Sequence, residues 1–219
     1  MRNRFIIAIT LLLLLSTYKI QINTVSNSKL KIDKIIIENN TFIEEKTIIK
    51  KLSFLYDSNL FLLEKDKIKK KLNEIGFINS FQIKKVYPNK IKIKIFEKTP
   101  IAILQDKKKK GYYTANGDVI EFLDMKEFND LPLVFGDSKN FNIFLKEIKK
   151  VNFPLNEIKT FYLFESNRWD LVTTKNQTIK LPIKNYNKSL KNFLNLKDQA
   201  NFEKYKTFDY RISKQLILK

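Results

Sequence analysis

Cysteine and histidine are both absent from this chain of 219 residues. Their absence excludes disulfides, thiol nucleophiles, imidazole acid–base catalysis and the usual zinc sites. Glycine is scarce, and its 4 residues are too dispersed to form a phosphate-binding loop. Carboxylates are scattered and outnumbered, so their spacing nominates no catalytic pair. The sequence therefore predicts a binding protein without cofactor or metal, and not an enzyme.

Charge of one sign dominates the composition. The chain has 42 basic and 23 acidic residues and a formal net charge of +19, carried almost wholly by lysine. The lysines are spread along the chain together with many isoleucines and asparagines, a combination that a coding bias toward A and T explains. No compact motif interleaves arginines with aromatic residues, which disfavours nucleic-acid binding.

An uncharged run follows two arginines at the N-terminus. It extends from Phe5 to Leu15 and continues sparsely to Ile22 past Lys19. Arginines before an apolar run are typical of a cytoplasmic tail, here residues 1–4, with the remainder exported. The run is short for a span of about 20 residues, yet no small-residue cleavage site follows it. A retained transmembrane anchor over 5–22 and a cleaved signal both remain open, and residues 23–29 form a polar linker.

The stretch 30–99 alternates strand and helix patterns. Strict alternation of isoleucine and lysine over 91–95 predicts a strand with one buried and one solvated face. Thr41 and Glu44 have the spacing of a capping box, and Gly76 stands where a left-handed helix C-cap is expected. The predicted elements are a strand over 31–38, a helix from Thr41 to Leu52, a helix ending at Gly76, and hairpin strands over 81–86 and 91–95. They make a compact α+β domain with the order β-α-α-β-β.

Beyond Pro100, the stretch 100–219 is mostly strand-like. We expect a mixed domain with an open, mostly antiparallel sheet and two helices. Trp169, the one tryptophan, is expected to pack in the core, and Lys107–Lys110 to form a solvated loop. Strands are predicted over 101–104, 112–114, 119–122, 160–164, 169–173, 178–181, 208–212 and 216–218, a short strand or loop over 132–136, and helices over 141–151 and around 190–196.

The two closing strands carry the most informative prediction about function. If 208–212 and 216–218 end an open sheet, one edge presents unpaired backbone groups. Such an edge is either a docking template for another chain or a short frayed terminus with no role. The residues alone leave both interpretations open.

Three stretches carry a resemblance to a known family: Glu97-Lys98-Thr99-Pro100-Ile101-Ala102, Trp169-Asp170-Leu171 and Phe208-Asp209-Tyr210-Arg211-Ile212. They resemble motifs of the FtsQ/DivIB family of bacterial cell division proteins. The first exported domain resembles that family's POTRA module, the first stretch is similar to the junction after it, and the other two are similar to strands of its second domain. The chain departs from the family pattern at Asn39-Asn40, where an asparagine pair tolerant of a left-handed turn replaces a glycine, and at Lys175-Asn176-Gln177.

The resemblance implies a non-enzymatic divisome scaffold. It implies that the N-terminal segment is kept as a single span of the cell inner membrane, with the bulk of the chain periplasmic at the division septum. FtsB and FtsL are then the expected partners of the second domain. Other divisome components are the expected partners of the POTRA domain. The protein would thereby link early and late division proteins. The partner-binding residues carried over from the motif are Asp209, Tyr210, Arg211, Ile212, Leu216, Ile217 and Leu218.

Two other classes compete with this interpretation. A POTRA-containing secretion or outer-membrane assembly factor is disfavoured by the short mixed domain after Pro100. A soluble periplasmic enzyme is disfavoured by the missing histidines and motifs. Within the scaffold hypothesis, replacement of Ile217 with proline is expected to abolish binding of an FtsB-type partner while the domain stays folded.

Overall fold

The computed structural model of the protein describes residues 6, 7, 9–13, 31–106, 109–199 and 201–219. Residues 6, 7 and 9–13 are helical, whereas the rest of the expected anchor over 5–22 and the whole linker over 23–29 lie outside the described residues. Among the described residues, none of the helices has the length and apolar character needed to cross a bilayer. The chain divides into two compact units, Met1–Glu97 and Lys98–Lys219.

From Lys31 onward, the first unit contains a three-stranded sheet and two α-helices. Strand order is β1-β3-β2, with β1 parallel and β2 antiparallel to the central β3. The elements are β1 (Lys34–Glu38), α1 (Glu45–Lys51), a 3-10 helix (Ser53–Asp57), α2 (Lys65–Asn73), β2 (Ile78–Val86) and β3 (Lys90–Glu97). The predicted order β-α-α-β-β is confirmed.

Alternation along β3 builds the core of this unit. Ile91, Ile93 and Ile95 are fully buried, as are Ile48 of α1 and Ile68 of α2. The intervening Lys92 and Lys94 remain accessible to solvent. Because successive side chains of a strand point to opposite faces, the isoleucine–lysine pattern alone determines which face packs. The two-faced strand predicted from the sequence is confirmed.

The start of α1 is held by a residue distant in sequence. The Glu97 carboxylate accepts hydrogen bonds from the backbone N–H groups of Thr41, Phe42 and Ile43 at 3.0, 2.8 and 3.0 Å. The N-cap residue is Glu44, whose side chain makes no capping bond. The predicted capping box is therefore wrong, because Thr41 lies before the helix and its backbone is fixed from the end of β3.

The predicted left-handed C-cap at Gly76 is also wrong. Helix α2 ends at Asn73, and its C-cap residue Glu74 keeps right-handed helical angles. Ile75 donates its N–H to the Leu72 carbonyl, which tightens the last turn and lets the chain leave without a left-handed residue. Asn39 does adopt φ 63°, in agreement with the expectation that asparagine replaces a glycine there.

The second unit is built on a nine-stranded sheet. Its order is β12-β11-β10-β9-β8-β7-β4-β5-β6, and five of its eight pairings are antiparallel. The strands are β4 (Pro100–Asp106), β5 (Lys109–Thr114), β6 (Val119–Glu121), β7 (Leu133–Phe135), β8 (Ile158–Leu163), β9 (Trp169–Thr173), β10 (Thr178–Lys180), β11 (Thr207–Asp209) and β12 (Ile217–Leu218). The expected open, mostly antiparallel sheet is confirmed.

Two α-helices pack with this sheet around one core. They are α3 (Ser138–Lys150) and α4 (Tyr186–Leu196). The Trp169 ring stacks on Phe144 of α3 with 4.7 Å between centroids, and Trp169 is only 5% exposed. In the same core, Phe193 of α4 packs edge-on against Phe208 with 4.9 Å between the ring centroids. The expected core role of Trp169 is confirmed.

The expected loop over Lys107–Lys110 is partly wrong. Lys109 and Lys110 belong to β5, and the Lys110 ammonium lies 3.6 Å from the centroid of the Phe122 ring. Residues 107 and 108 lie outside the described part. The lysines are compatible with a strand because their side chains extend from the sheet into solvent while the backbone pairs with β4.

Candidate partner-binding edge

Strand β12 forms one edge of the nine-stranded sheet. It pairs antiparallel with β11, which pairs parallel with β10. Beyond β12, no further strand occurs among the described residues. The predicted strand over 208–212 is too long, because the strand ends at Asp209. Tyr210 donates its N–H to the Lys180 carbonyl, and the chain then turns, with Gln215 donating to the Ile212 carbonyl.

The register decides which backbone groups of β12 are free. Thr207 and Lys219 exchange both backbone hydrogen bonds, at 3.0 and 3.1 Å. Because such exchanged pairs alternate along an antiparallel ladder, Ile217 faces Asp209 across the next exchanged pair. The N–H and C=O of Leu218 consequently point away from β11, toward the open side.

This geometry changes the expected effect of proline at Ile217. A proline there removes a donor from the β11–β12 ladder, so it disturbs the edge itself. The Ile217 substitution therefore does not separate loss of partner binding from damage to the β11–β12 ladder. Position 218 is the one where proline removes an outward N–H, an arrangement that edge strands tolerate.

Two of the predicted partner-binding residues are buried inside the unit. Asp209 and Tyr210 are only 6% and 7% exposed. The Tyr210 hydroxyl donates to Oδ1 of Asn192 on α4 at 3.0 Å, and burial raises the pKa of that hydroxyl. Tyr210 therefore connects the end of β11 to α4, and both side chains are largely buried within the unit.

Asp209 and Arg211 form a tight pair beside the edge. The guanidinium Nε contacts both carboxylate oxygens at 2.9 and 3.0 Å, and Nη2 contacts Oδ2 at 2.6 Å. The hydrogen bond from Arg211 lowers the pKa of the Asp209 carboxyl, and the same bond raises the pKa of Arg211. The Arg211 side chain is still 46% exposed. The pair fixes the guanidinium at the surface, while Nη1 finds no acceptor within the described residues.

The remaining predicted residues are accessible to different degrees. Ile212 is 52% and Ile217 38% exposed, although both are apolar. Leu216 and Leu218 are half-buried against the core of the unit. The structure thus brings together four apolar side chains and one guanidinium along the turn and the edge strand.

An open groove of about 460 Å³ lies between α4 and the turn 210–216. Four of its lining residues are basic and none is acidic, which makes it attractive to a carboxylate-bearing segment. Sequence reasoning identified Arg211 but missed the three lysines, of which Lys188 lies on α4 while Lys184 precedes that helix. The basic lining residues are Lys184, Lys188, Arg211 and Lys214.

Nothing in this region has the composition of a metal centre. Across the described ranges, no cluster of His, Cys, Asp or Glu is arranged to hold an ion. The arrangement offers the outward N–H and C=O of Leu218, apolar side chains and a basic groove. Such a surface suits an extended peptide that adds a strand to the sheet.

Comparison with known proteins places both units in one family. Residues 30–98 match the family model described as POTRA domain, FtsQ-type, and residues 102–211 match that of cell division protein FtsQ/DivIB, C-terminal. The cell division protein FtsQ of Rickettsia typhi is 31% identical over 185 residues, which are 83% of this chain and 69% of the relative. The FtsQ of Rickettsia conorii is 30% identical over the same shares.

More distant matches are also named as cell division proteins. The cell division protein FtsQ of Agrobacterium fabrum is 22% identical over 76% of this chain and 53% of the relative. The solved extracytoplasmic domain of the trans isomer of DivIB from Geobacillus stearothermophilus shares 14% identity, covering 43% of this chain and 87% of that one. Its TM-score of 0.31 is too low to carry an argument. The matches to both family models and the Rickettsia relatives establish that this chain belongs to the FtsQ/DivIB family of cell division proteins.

Proposed function

We propose that the protein is a non-enzymatic scaffold of the divisome that holds FtsB and FtsL through the β12 edge. The single observation that carries the proposal is the outward N–H and C=O of Leu218 beside a basic groove. A strand of the partner pairs with β12, and an acidic stretch next to that strand enters the groove. Backbone pairing supplies affinity, while the groove selects a partner of matching charge.

The proposal includes a place in the cell. Residues 5–22 form a single span of the cell inner membrane with residues 1–4 in the cytoplasm, and the two units lie in the periplasm at the division septum. Support comes from the arginines at positions 2 and 4 before the apolar run. The competing secretion or outer-membrane assembly role is disfavoured, because the second unit matches the C-terminal part of FtsQ/DivIB.

A proline at the edge tests the pairing. In a pull-down with the FtsB-type partner, full-length Leu218→Pro is expected to bind at least about tenfold more weakly. The ring removes one outward N–H, worth about 1 kcal/mol, and obstructs the incoming strand. Leu218→Ala is the matched control, because it shortens the same side chain but keeps the N–H.

The comparison between these two variants decides the outcome. Both must show the far-UV circular dichroism of the parent chain, which verifies that the sheet is intact. Equal affinity of Leu218→Pro and Leu218→Ala for the FtsB-type partner would contradict strand addition at this edge. A loss confined to the proline variant supports it.

Charge reversal in the groove tests partner selection separately. Lys188→Glu is expected to weaken binding and to reduce its dependence on salt, because it removes attraction to an acidic segment. Lys146→Glu on the exposed side of α3 makes the same charge change outside the groove. If both variants weaken binding to the same degree, overall charge and not the groove is responsible.

A further inference from the structure

Three exposed apolar side chains lie at the end of the first unit where the chain enters it. Phe61, Leu62 and Tyr87 are 68%, 64% and 59% exposed. Their neighbour Leu60 is fully buried, so the loop supplies one side chain to the core and directs the next two outward. Single exposed apolar residues are ordinary, whereas a cluster at one end of a domain indicates a contact surface.

Hydrogen bonds join this loop to the point of chain entry. Ile32 donates its N–H to the Ser58 carbonyl at 3.1 Å, and Lys31 forms a bridge with Asn59. The Asn59 side chain in turn accepts the N–H of Phe61 at 2.8 Å. The exposed pair is therefore fixed two residues from the backbone that arrives from the N-terminal segment.

The β2–β3 turn belongs to the same end. Asp33 donates its N–H to the Asn89 carbonyl at 2.8 Å, next to Tyr87 in the turn. The Lys85 ammonium donates to the Phe61 carbonyl at 3.0 Å and lies 5.9 Å from the centroid of the Phe61 ring. Lysine heads beside aromatic rings are the pairing found where proteins meet the polar boundary of a bilayer.

We infer that this entry surface, formed by Lys31, Phe61, Leu62, Lys85, Tyr87 and Lys90, rests on an anionic phospholipid bilayer. The inference depends on the proposed anchor over 5–22. The eight residues 23–30 span at most about 29 Å, so an anchored chain keeps the entry surface within reach of the headgroups. Phe61 and Leu62 then insert at the boundary between headgroups and acyl chains, while the lysines meet lipid phosphates.

Contact with lipid gives the first unit a defined orientation relative to the membrane. A single point of attachment leaves a folded unit free to rotate. Insertion of two adjacent side chains next to the linker removes much of that freedom, because the contact and the anchor are then two attachments of one body. The surface then provides a second, weak attachment to the membrane beside the span.

The missing cysteines make a direct test possible. Full-length Leu62→Cys, labelled with an environment-sensitive fluorophore, is reconstituted in vesicles of phosphatidylethanolamine and phosphatidylglycerol. We expect blue-shifted emission that is quenched by nitroxide-labelled lipid, with a smaller shift in pure phosphatidylcholine. The control is Lys69→Cys on the exposed side of α2, whose label is expected to emit as in water.

A second pair of variants tests the contact with the label at a different position. With the fluorophore at Tyr87→Cys, the added change Phe61→Ser and Leu62→Ser is expected to reduce quenching by the nitroxide lipid. Both serines replace exposed side chains, so the thermal unfolding of the two labelled chains is expected to coincide. Unchanged quenching in the serine variant overturns the inference.

Extraction of the vesicles with alkaline carbonate separates the inference from the proposed anchor. A chain released by carbonate lacks the anchor, which overturns the proposed localisation and the inference with it. A chain that stays in the membrane while labels at 62 and 69 emit alike overturns the inference alone. Shielding of position 62 that appears only after an FtsB-type protein is added also overturns it, since the surface then binds protein.

Discussion

At the scale of single residues, Tyr210 links the end of β11 to helix α4. Its ring is buried, and its hydroxyl reaches Asn192 of α4 at 3.0 Å. Tyr210→Phe is expected to lower the free energy of unfolding by about 1 kcal/mol, because the Asn192 side chain loses its donor. Chemical denaturation followed by Trp169 fluorescence measures this, and Tyr162→Phe, a substitution at a 38% exposed ring, serves as control. Equal effects of both substitutions would contradict the role given to Tyr210.

Asp209 gives the edge a dependence on pH. Its folded-state pKa is lowered, chiefly by the Arg211 hydrogen bond, so the ionised form stabilises the fold. This stability is fully present above the ordinary aspartate pKa of about 4 and is lost as pH falls through the lowered value. Asp209→Asn is expected to be less stable at neutral pH and to lose less stability on acidification. Parallel curves of unfolding free energy against pH for parent and variant would contradict this.

The opposite dependence of stability on pH is expected for Asp170 on β9, which β10 separates from β11. Burial raises its pKa, and this outweighs the lowering effect of Arg168 at 3.2 Å. The group therefore opposes folding once both states are ionised, and Asp170→Asn is expected to remove that part of the pH dependence. The two asparagine variants consequently shift the pH profile of unfolding in opposite directions. A shift of the same sign in both would show that net charge, and not the local environment, governs them.

At the scale of elements, Glu97 joins the end of β3 to the start of α1. Its carboxylate collects three backbone N–H groups from residues 41–43. Glu97→Gln keeps the shape but removes the charge, and we expect a loss of about 2 kcal/mol together with faster hydrogen exchange of those three amides. Glu38→Gln is the control, because its partner Lys92 forms an exposed pair at 2.8 Å that contributes little. Unchanged amide exchange in Glu97→Gln would contradict the link.

Elements defined by local patterns were predictable from the sequence, and those defined by distant contacts were not. The isoleucine–lysine alternation of β3 determines which side packs, and it is confirmed. The helix predicted over 141–151 is also found, as α3. The capping of residues 41–43 was not predictable, because its acceptor lies more than fifty residues away. The same limit hid the basic groove, since Lys188 and Lys214 meet only after α4 packs beside the turn. Arg211 was found only because it lies within a family motif.

At the scale of the whole molecule, we propose two binding surfaces, one toward each end of the chain. The N-terminal end carries the proposed span and the entry surface, and the C-terminal end carries the β12 edge. Neither surface needs a reactive group, in keeping with a chain that contains no cysteine or histidine. Membership in the FtsQ/DivIB family places the chain among cell division proteins.

The most direct test of the central claim is the position of the protein in dividing cells of its own host. A fluorescent fusion of the full chain is expected to form a band at mid-cell, because a divisome scaffold assembles with its partners at the septum. The Leu218→Pro fusion, expressed at the same level, reports whether that band needs the β12 edge. A uniform envelope signal from the parent fusion would contradict the proposed role in division.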